Sequence, residues 1–214
     1  ITPQELTAGA YITTDTVNNQ ITGFNPGAMK YSSELNVSEL SAEDDLLLVS
    51  PGNLEDMINY PKEAKAKSIN CIFDPGQALP VLQGEDLIDV ITDCLILIVN
   101  DYEFNLILDK TGKTKEELLK LAQNTIITLG EKGSELHTPS GMTTIKSFTA
   151  AIVVDPTGAG DAFRGGLISG LLQGKGLEES AILGSVCASF AVECNGTQVY
   201  SFTKEEFNNR FNAG

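Results

Sequence analysis

The stretch LILIVNDYEFNLILDKTGKTKEELLKLAQNTIITLG, residues 95–130, reads as strand, helix, helix, strand. LILIVN (95–100) is an unbroken apolar run of strand length that ends on Asn100. Tyr102–Leu108 and Lys115–Ala122 carry helical patterns, separated by a turn over Asp109–Lys113, and NTIITLG (124–130) is a second strand. A strand without polar alternation is buried on both faces. Such strands joined by helices belong to a mostly parallel sheet covered on both sides. Upstream the pattern repeats as LLLVS (46–50), a helix over Asn53–Lys67 that Pro61 should break or kink, NCIFD (70–74) and a helix over Glu85–Asp93. Downstream, extended segments over Ser134–Thr138 and Met142–Val154 suit a local antiparallel addition. Helices follow over Gly158–Gln173, Leu177–Glu193 and Lys204–Phe211. The second of these is apolar nearly all round (AILGSVCASFAV) and should be buried. At the other end, Tyr11–Met29 reads as two β-segments around Asn18-Asn19, with a break at Pro26-Gly27. A hairpin this polar has little core of its own and must lie on something else or cover a site. The expected fold is therefore a three-layer α/β/α arrangement with a mostly parallel sheet and a small N-terminal β lid.

Composition removes several function classes. The 214 residues are 42 % hydrophobic and 20 % charged, which suits a globular chain. Fourteen Lys+Arg against 29 Asp+Glu give a formal charge of −15, and no basic stripe exists, so no nucleic-acid partner is expected. No apolar run reaches the roughly 18 residues of a membrane span, and no charged-then-apolar leader opens the sequence. Four cysteines (Cys71, Cys94, Cys187, Cys194) without a CxxC pair, and a single His137, leave no Cys/His zinc site or His-based triad. Scattered thiols of this kind fit a reducing cytoplasm. An anionic ligand would have to be held by backbone amides, a helix N-terminus or a metal.

Three strand ends carry polar or glycine-rich residues: Asn100–Glu103, Thr128–Gly133 and Asp155–Asp161. Ligands of doubly wound sheets sit at the carboxyl ends of strands. In Asp155-Pro-Thr-Gly-Ala-Gly-Asp161 a strand over AIVV (151–154) is expected to enter a glycine turn, with a helix starting near Gly158. Glycines let a ligand approach the backbone, and the amides of the first turn would face an anion. Asp161 could accept a proton from an attacking hydroxyl; equally, it could only cap a helix. Glu103 reads as well as an exposed helix residue, Thr128, Gly130 and Gly133 as a plain turn, and Asp155 as a turn cap. Gly165, Gly166 and Gly170 read as positions of close helix–sheet packing, and His137 as a surface or satisfied structural residue.

DPTGAGDAFRGGL (155–167) resembles the C-terminal signature of the PfkB, or ribokinase, family of carbohydrate kinases, matching every fixed position of Asp-x-Thr-Gly-Ala-Gly-Asp. Asn100-Asp-Tyr-Glu103 is similar to that family's Asn-x-x-Glu motif, and Thr128-Leu-Gly-Glu-Lys-Gly133 to its Thr-x-Gly-x-x-Gly nucleotide loop. Residues 12–29 and FDPGQALP (73–80) resemble the lid region of adenosine-kinase-like members. The resemblance implies a ribokinase-like fold and an ATP-dependent kinase acting on the hydroxymethyl group of a nucleoside or sugar, adenosine first. It makes Asp161 the catalytic base, with Gly158, Ala159 and Gly160 as the anion hole. Asn100 and Glu103 would organise Mg²⁺ through water with the ATP phosphates, and Thr128, Gly130, Gly133 and Gly196 would line the nucleotide. Asp155 and Thr157 match where family members hold a monovalent cation such as K⁺. A homodimer through the lid is also implied, in a cytoplasmic protein. Complete members begin with a region carrying a glycine pair and much of the substrate surface, which has no counterpart here. The expected organisation is a lid segment over 1–30 and an α/β kinase domain over 31–214 that lacks the family's N-terminal part. A ribokinase- or fructokinase-type enzyme, a shortened nucleotide-binding chain without turnover, and an unrelated phosphate-binding fold are the alternatives.

Overall fold

The computed structural model describes residues 4–14 and 20–214, divided into two units, Ile1–Ile98 with Asn105–Gln123 and Val99–Phe104 with Asn124–Gly214. In the first unit β1 (Gly9–Thr14) and β2 (Gln20–Asn25) form the antiparallel hairpin, Gly9 opposite Asn25 and Thr14 opposite Gln20. The turn expected around Asn18-Asn19 lies outside the described residues. The break expected at Pro26-Gly27 is present, and the backbone there demands glycine. Gly27 has φ +46°, and a Cβ on it would stand 2.2 Å from the Leu6 carbonyl oxygen.

Next come β3 (Leu46–Val49), α1 (Leu54–Ala66), β4 (Asn70–Phe73), α2 (Gly84–Ile91) and β5 (Ile96–Asn100). The strands pair in parallel, Leu47 opposite Cys71 and Ile72 opposite Ile96. Ile72, Phe73, Ile96 and Leu97 are fully buried, as unbroken apolar strands covered on both faces must be. Asn53 starts α1, its Oδ1 accepting from the amides of Glu55 and Asp56 at 3.0 and 3.2 Å. Pro61 neither ends nor breaks α1, which runs on to Ala66. The missing proline amide is offset by burial, because Met57, Pro61 and Ala64 form the inward stripe of the helix.

The second unit takes Val99–Phe104, the end of β5 and the start of α3 (Asp101–Thr111), whose remainder belongs to the first. α4 spans only Lys115–Leu118, shorter than the expected Lys115–Ala122. Leu121 instead accepts from the Asp93 amide at 2.7 Å and the Gln123 amide donates to the Cys94 carbonyl at 2.9 Å. Those tertiary bonds take the chain out of the helix before the next strand.

In the second unit β6 (Thr125–Thr128), β7 (Ser134–Thr138) and β8 (Gly141–Ile145) form the expected antiparallel addition, Ile126 opposite Leu136 and Ser134 opposite Ile145. The six strands β3 to β8 lie in chain order across the sheet. The expected strand over residues 151–154 is not formed. Ile152, Val153 and Val154 are exposed, and the amides of Val154 and Asp155 both go to one acceptor, the Val192 carbonyl. β-branched composition supplies strand propensity, but a strand also needs a neighbouring backbone, and a single carbonyl is not one.

α5 (Ala159–Leu172) and α6 (Leu177–Ala191) pack face to face. A Cβ on Gly166 would lie 2.7 Å from the Leu183 carbonyl oxygen, and one on Gly170 would lie 2.7 Å from Ser180 Oγ. These glycines therefore serve helix–helix rather than helix–sheet contact, while a side chain at Gly165 would meet open space. α7 (Lys204–Ala213) starts on a reciprocal Thr203–Glu206 cap. It is pinned by Arg210, whose guanidinium lies 3.6 Å from the Phe190 ring centroid and bonds Glu193 at 2.8 Å and Ser189 Oγ at 3.1 Å.

Candidate active site

The residues of the Asn100–Glu103, Thr128–Gly133 and Asp155–Asp161 motifs, and Gly196, all lie in the second unit, while the lid-like segments 12–29 and 73–80 lie in the first. α5 begins without a side-chain cap: its N-cap is Gly158, at φ +87°, with Thr197 so close that a Cβ on Gly158 would stand 3.1 Å from Thr197 Cα. Glycine is the residue that takes this left-handed turn under a packed backbone without strain. The Ala159 amide is not open, since it donates to the Pro156 carbonyl at 3.2 Å. The amides of Gly158, Gly160 and Asp161 have no acceptor among the described residues. Three donors without acceptors thus lie at the positive end of a 14-residue helix, an arrangement chemically suited to an anion.

Asp161 is in the first turn, its carboxylate largely in solvent and ion-paired with Arg164 Nη2 one helical turn on. Asp155 fixes the loop beneath. Its Oδ1 accepts from the Thr157 amide at 2.9 Å and its Oδ2 from the Gly196 amide at 3.4 Å, tying the turn to the segment after α6. Those donors, the Thr157 hydroxyl foremost, hold the Asp155 carboxyl below its ordinary value. Burial first, then the charges of Cys187 and Asp161, raises the Tyr200 phenol.

Asn100 and Glu103 form a second cluster at the start of α3. Asn100 Oδ1 accepts from the Glu103 amide at 2.7 Å, and Glu103 Oε2 accepts from the Asn100 amide at 2.8 Å, a reciprocal capping arrangement. Glu103 Oε1 has no hydrogen-bond partner among the described residues. Beside them Thr128, at the end of β6, donates to the Val99 carbonyl at 3.4 Å, so the ends of β5 and β6 are adjacent. Gly130 (φ +59°) opens the following turn, and Gly133 closes it against Ile145–Ser147. No side-chain hydrogen bond among the described residues joins this cluster to the Asp155–Asp161 loop.

Sequence reasoning passed over Arg164, Thr197 and Tyr200. Arg164 carried a signal, because an arginine three positions after an acid in a helix shares its face. Thr197 and Tyr200 carried none, as their proximity comes from the chain's return after α6. His137 is a half-buried structural residue, its Nε2 2.8 Å from Glu135 Oε2. A separate cavity of about 870 Å³ in the first unit, bordered by Leu47, Val49, Asn53 and Tyr60, contains none of the motif residues. No group of three or more metal-ligating side chains, and no helix long and apolar enough to cross a membrane, occurs among the described residues.

Three open amides at a glycine cap, with an exposed aspartate in the same helical turn, make the start of α5 chemically suited to face an anion. Residues 1–204 match the pfkB family carbohydrate kinase, and the chain belongs to that family. It is 35 % identical over 195 residues to a nucleoside kinase of Methanocaldococcus jannaschii, covering 91 % of this chain and 64 % of the relative. The solved structure of that archaeal protein, a ribokinase-family member, superimposes with a TM-score of 0.85 at 32 % identity over 99 % of this chain and 70 % of the other. The Burkholderia thailandensis nucleoside kinase in complex with inosine gives a TM-score of 0.91 at 38 % identity, covering 98 % of this chain and 69 % of the other. Its complex with ADP-inosine gives 0.90, covering 65 % of that chain. The fold is accordingly the three-layer α/β/α ribokinase-like arrangement. The chain spans a little under two thirds of the length of the curated nucleoside kinases it matches.

Proposed function

We propose that this chain carries the phosphoryl-transfer site of a nucleoside kinase that moves the γ-phosphoryl group of ATP to the 5′-hydroxymethyl of a nucleoside, adenosine foremost. The observation that carries this reading is the open first turn of α5, where the amides of Gly158, Gly160 and Asp161 have no acceptor among the described residues and the Asp161 carboxylate is exposed. Asp161 takes the proton of the attacking hydroxyl, and the amides of Gly158, Gly160 and Asp161 hold the transferred group as charge spreads over its oxygens. Ala159 contributes spacing, its amide being engaged by Pro156. Thr128, Gly130, Gly133 and Gly196 form the backbone against which the nucleotide lies.

The residues present fit magnesium. Glu103 offers one hard carboxylate oxygen outside its cap, and a metal that gives up water reluctantly is suited to a single such ligand through water. When bound there, Mg²⁺ neutralises phosphate charge. The Asn100 amide, donating to Glu103 Oε2, keeps the Glu103 carboxylate in place. Asp155 already accepts two amide hydrogen bonds, and each oxygen retains a lone pair for a weakly held K⁺ with Thr157. Nucleosides are favoured over free sugars because the nucleoside kinases above, one of them bound to inosine, are 32–38 % identical to this chain. Residues 1–30 act as the lid on a kinase domain over 31–214. Tyr11 and Ile21, both exposed and on one face of the hairpin, are the contact through which two lids would pair into a homodimer. Unpaired thiols, with Cys71 raised to about 12 by burial and Cys94 raised further, suit a cytoplasmic location.

The test is ADP release by the chain with Mg-ATP and adenosine, inosine, ribose or fructose, beside Asp161→Asn. Nucleoside-dependent turnover that disappears in the variant is expected. Turnover with ribose or fructose alone would overturn the nucleoside assignment, and undiminished turnover in Asp161→Asn would overturn the role of that aspartate.

A further inference from the structure

The chain has two arginines, and the structure uses them differently. Arg210 staples α7 to α6 through Phe190, Ser189 and Glu193, far along the chain from the phosphate turn. Arg164 lies on α5, three residues beyond Asp161, and its Nη2 donates to Asp161 Oδ1. The two partners differ sharply in environment: the Arg164 side chain is 19 % exposed and the Asp161 side chain 69 %. The packed partner is therefore the anchor and the exposed carboxylate the arm it holds. The guanidinium also lies against the turn itself, since a Cβ on Gly160 would sit 3.5 Å from Arg164 Nη1. Side chains on a helix lean toward its N-terminus, which brings this cation to the positive end of the α5 dipole. A cation placed there is unfavourable unless an anion faces it, and Asp161 is that anion.

We infer that Arg164 is a positioning residue for the phosphoryl-transfer step. By holding Oδ1 of Asp161 it fixes the carboxylate rotamer and leaves Oδ2 turned toward the incoming hydroxyl. The inference rests on the reading of Asp161 as the base. An i,i+3 ion pair serving stability alone would leave kcat unchanged when broken. A positioning role has a larger and different signature. An aspartate free to rotate loses a share of productive encounters without any change in how substrate is held, so the loss falls on kcat.

The experiment compares the full chain with Arg164→Gln, Arg164→Lys, Asp161→Asn and the double variant Asp161→Asn/Arg164→Gln. For Arg164→Gln a fall in kcat of about 10- to 100-fold is expected, with KM for nucleoside and Kd for Mg-ATP within about twofold. Arg164→Lys, which keeps a cation but not the fork, should recover part of the loss. The double variant should be no slower than Asp161→Asn alone, because Arg164 acts through that carboxylate. A second readout needs no turnover. With two arginines the guanidinium ¹⁵N spectrum holds two side chains, and the Nη2 signal of Arg164 that reports the bond to Asp161 should shift in Asp161→Asn and stay unchanged in Glu193→Gln. Wild-type kcat in Arg164→Gln with a dead Asp161→Asn would overturn the positioning role and leave the base standing. An Arg164→Gln that raises the Kd of Mg-ATP at constant kcat would overturn it in favour of direct phosphate binding. Full activity of Asp161→Asn would remove the underlying reading, and the inference with it.

Discussion

Two helices of the second unit begin in opposite ways. α3 starts on Asn100 and Glu103, whose side chains and amides satisfy one another at 2.7 and 2.8 Å, as a helix end exposed to water ordinarily is. α5 starts on Gly158, which has no side chain to offer, and leaves the amides of Gly158, Gly160 and Asp161 without acceptors. An uncapped end forgoes about 1 kcal/mol relative to a capped one. Retaining it beside a positive-φ glycine makes sense where a ligand supplies the missing acceptor. On the proposed reading, the oxygen left over at the capped end, Glu103 Oε1, would face a cation, and the donors of the uncapped end would face an anion. A magnesium–phosphate pair would need both kinds of helix end.

Removing the acid from the open end should have the largest effect. Asp161→Asn is expected to lower kcat by roughly 10²- to 10⁴-fold while the unfolding midpoint stays near that of the parent chain, measured by ADP release and thermal unfolding. Giving the open end a side chain comes next. Gly158→Ala places a Cβ 3.1 Å from Thr197 in a left-handed backbone, so about 1–3 kcal/mol of stability and at least tenfold in kcat should be lost. A variant as stable and active as the parent would show that the turn can relax, and the contrast between the two ends would fail.

The closed end separates cap from metal. Glu103→Gln keeps an acceptor for the Asn100 amide but removes the charge. The magnesium concentration for half-maximal activity should rise several-fold, with stability changed by less than about 0.5 kcal/mol. An unfolding shift without any change in magnesium dependence would return Glu103 to a purely structural role. The smallest effect concerns Asp155, whose carboxyl is held below its ordinary value by Thr157 and Gly196. Its contribution is fully present above the unfolded value of about 3.9 and is lost as pH falls through the lower folded value. The difference in unfolding midpoint between the parent chain and Asp155→Asn should therefore be constant from about pH 5 to 8 and shrink below about pH 4.

Much of this was legible along the chain. The unbroken apolar runs at 96–100 and 125–128 had to be doubly covered strands, because water-facing strands alternate, and the α5 and α6 limits followed from periodicity bounded by glycines. That residues 155–161 form a glycine turn opening a helix was legible from the glycines, while the phosphate role proposed for it came from the resemblance to the family signature. What failed were readings that depended on a neighbour. Residues 151–154 have strand composition but no strand beside them, α4 stops where tertiary hydrogen bonds compete for its last turn, and Pro61 is tolerated because its helix face is buried.

The sequence by itself determined the class of fold, the glycine turn that opens α5 and the order of the motifs, since apolar periodicity and glycine placement act locally. Only the tertiary structure decided which amides of that turn stay open, that Ala159 is engaged by Pro156, and that a packed Arg164 holds Asp161. Those outcomes depend on which donors and charges the folded chain brings within about 3 Å of one another, and hydrogen bonds and ion pairs fall off too steeply with distance for spacing along the chain to foresee them.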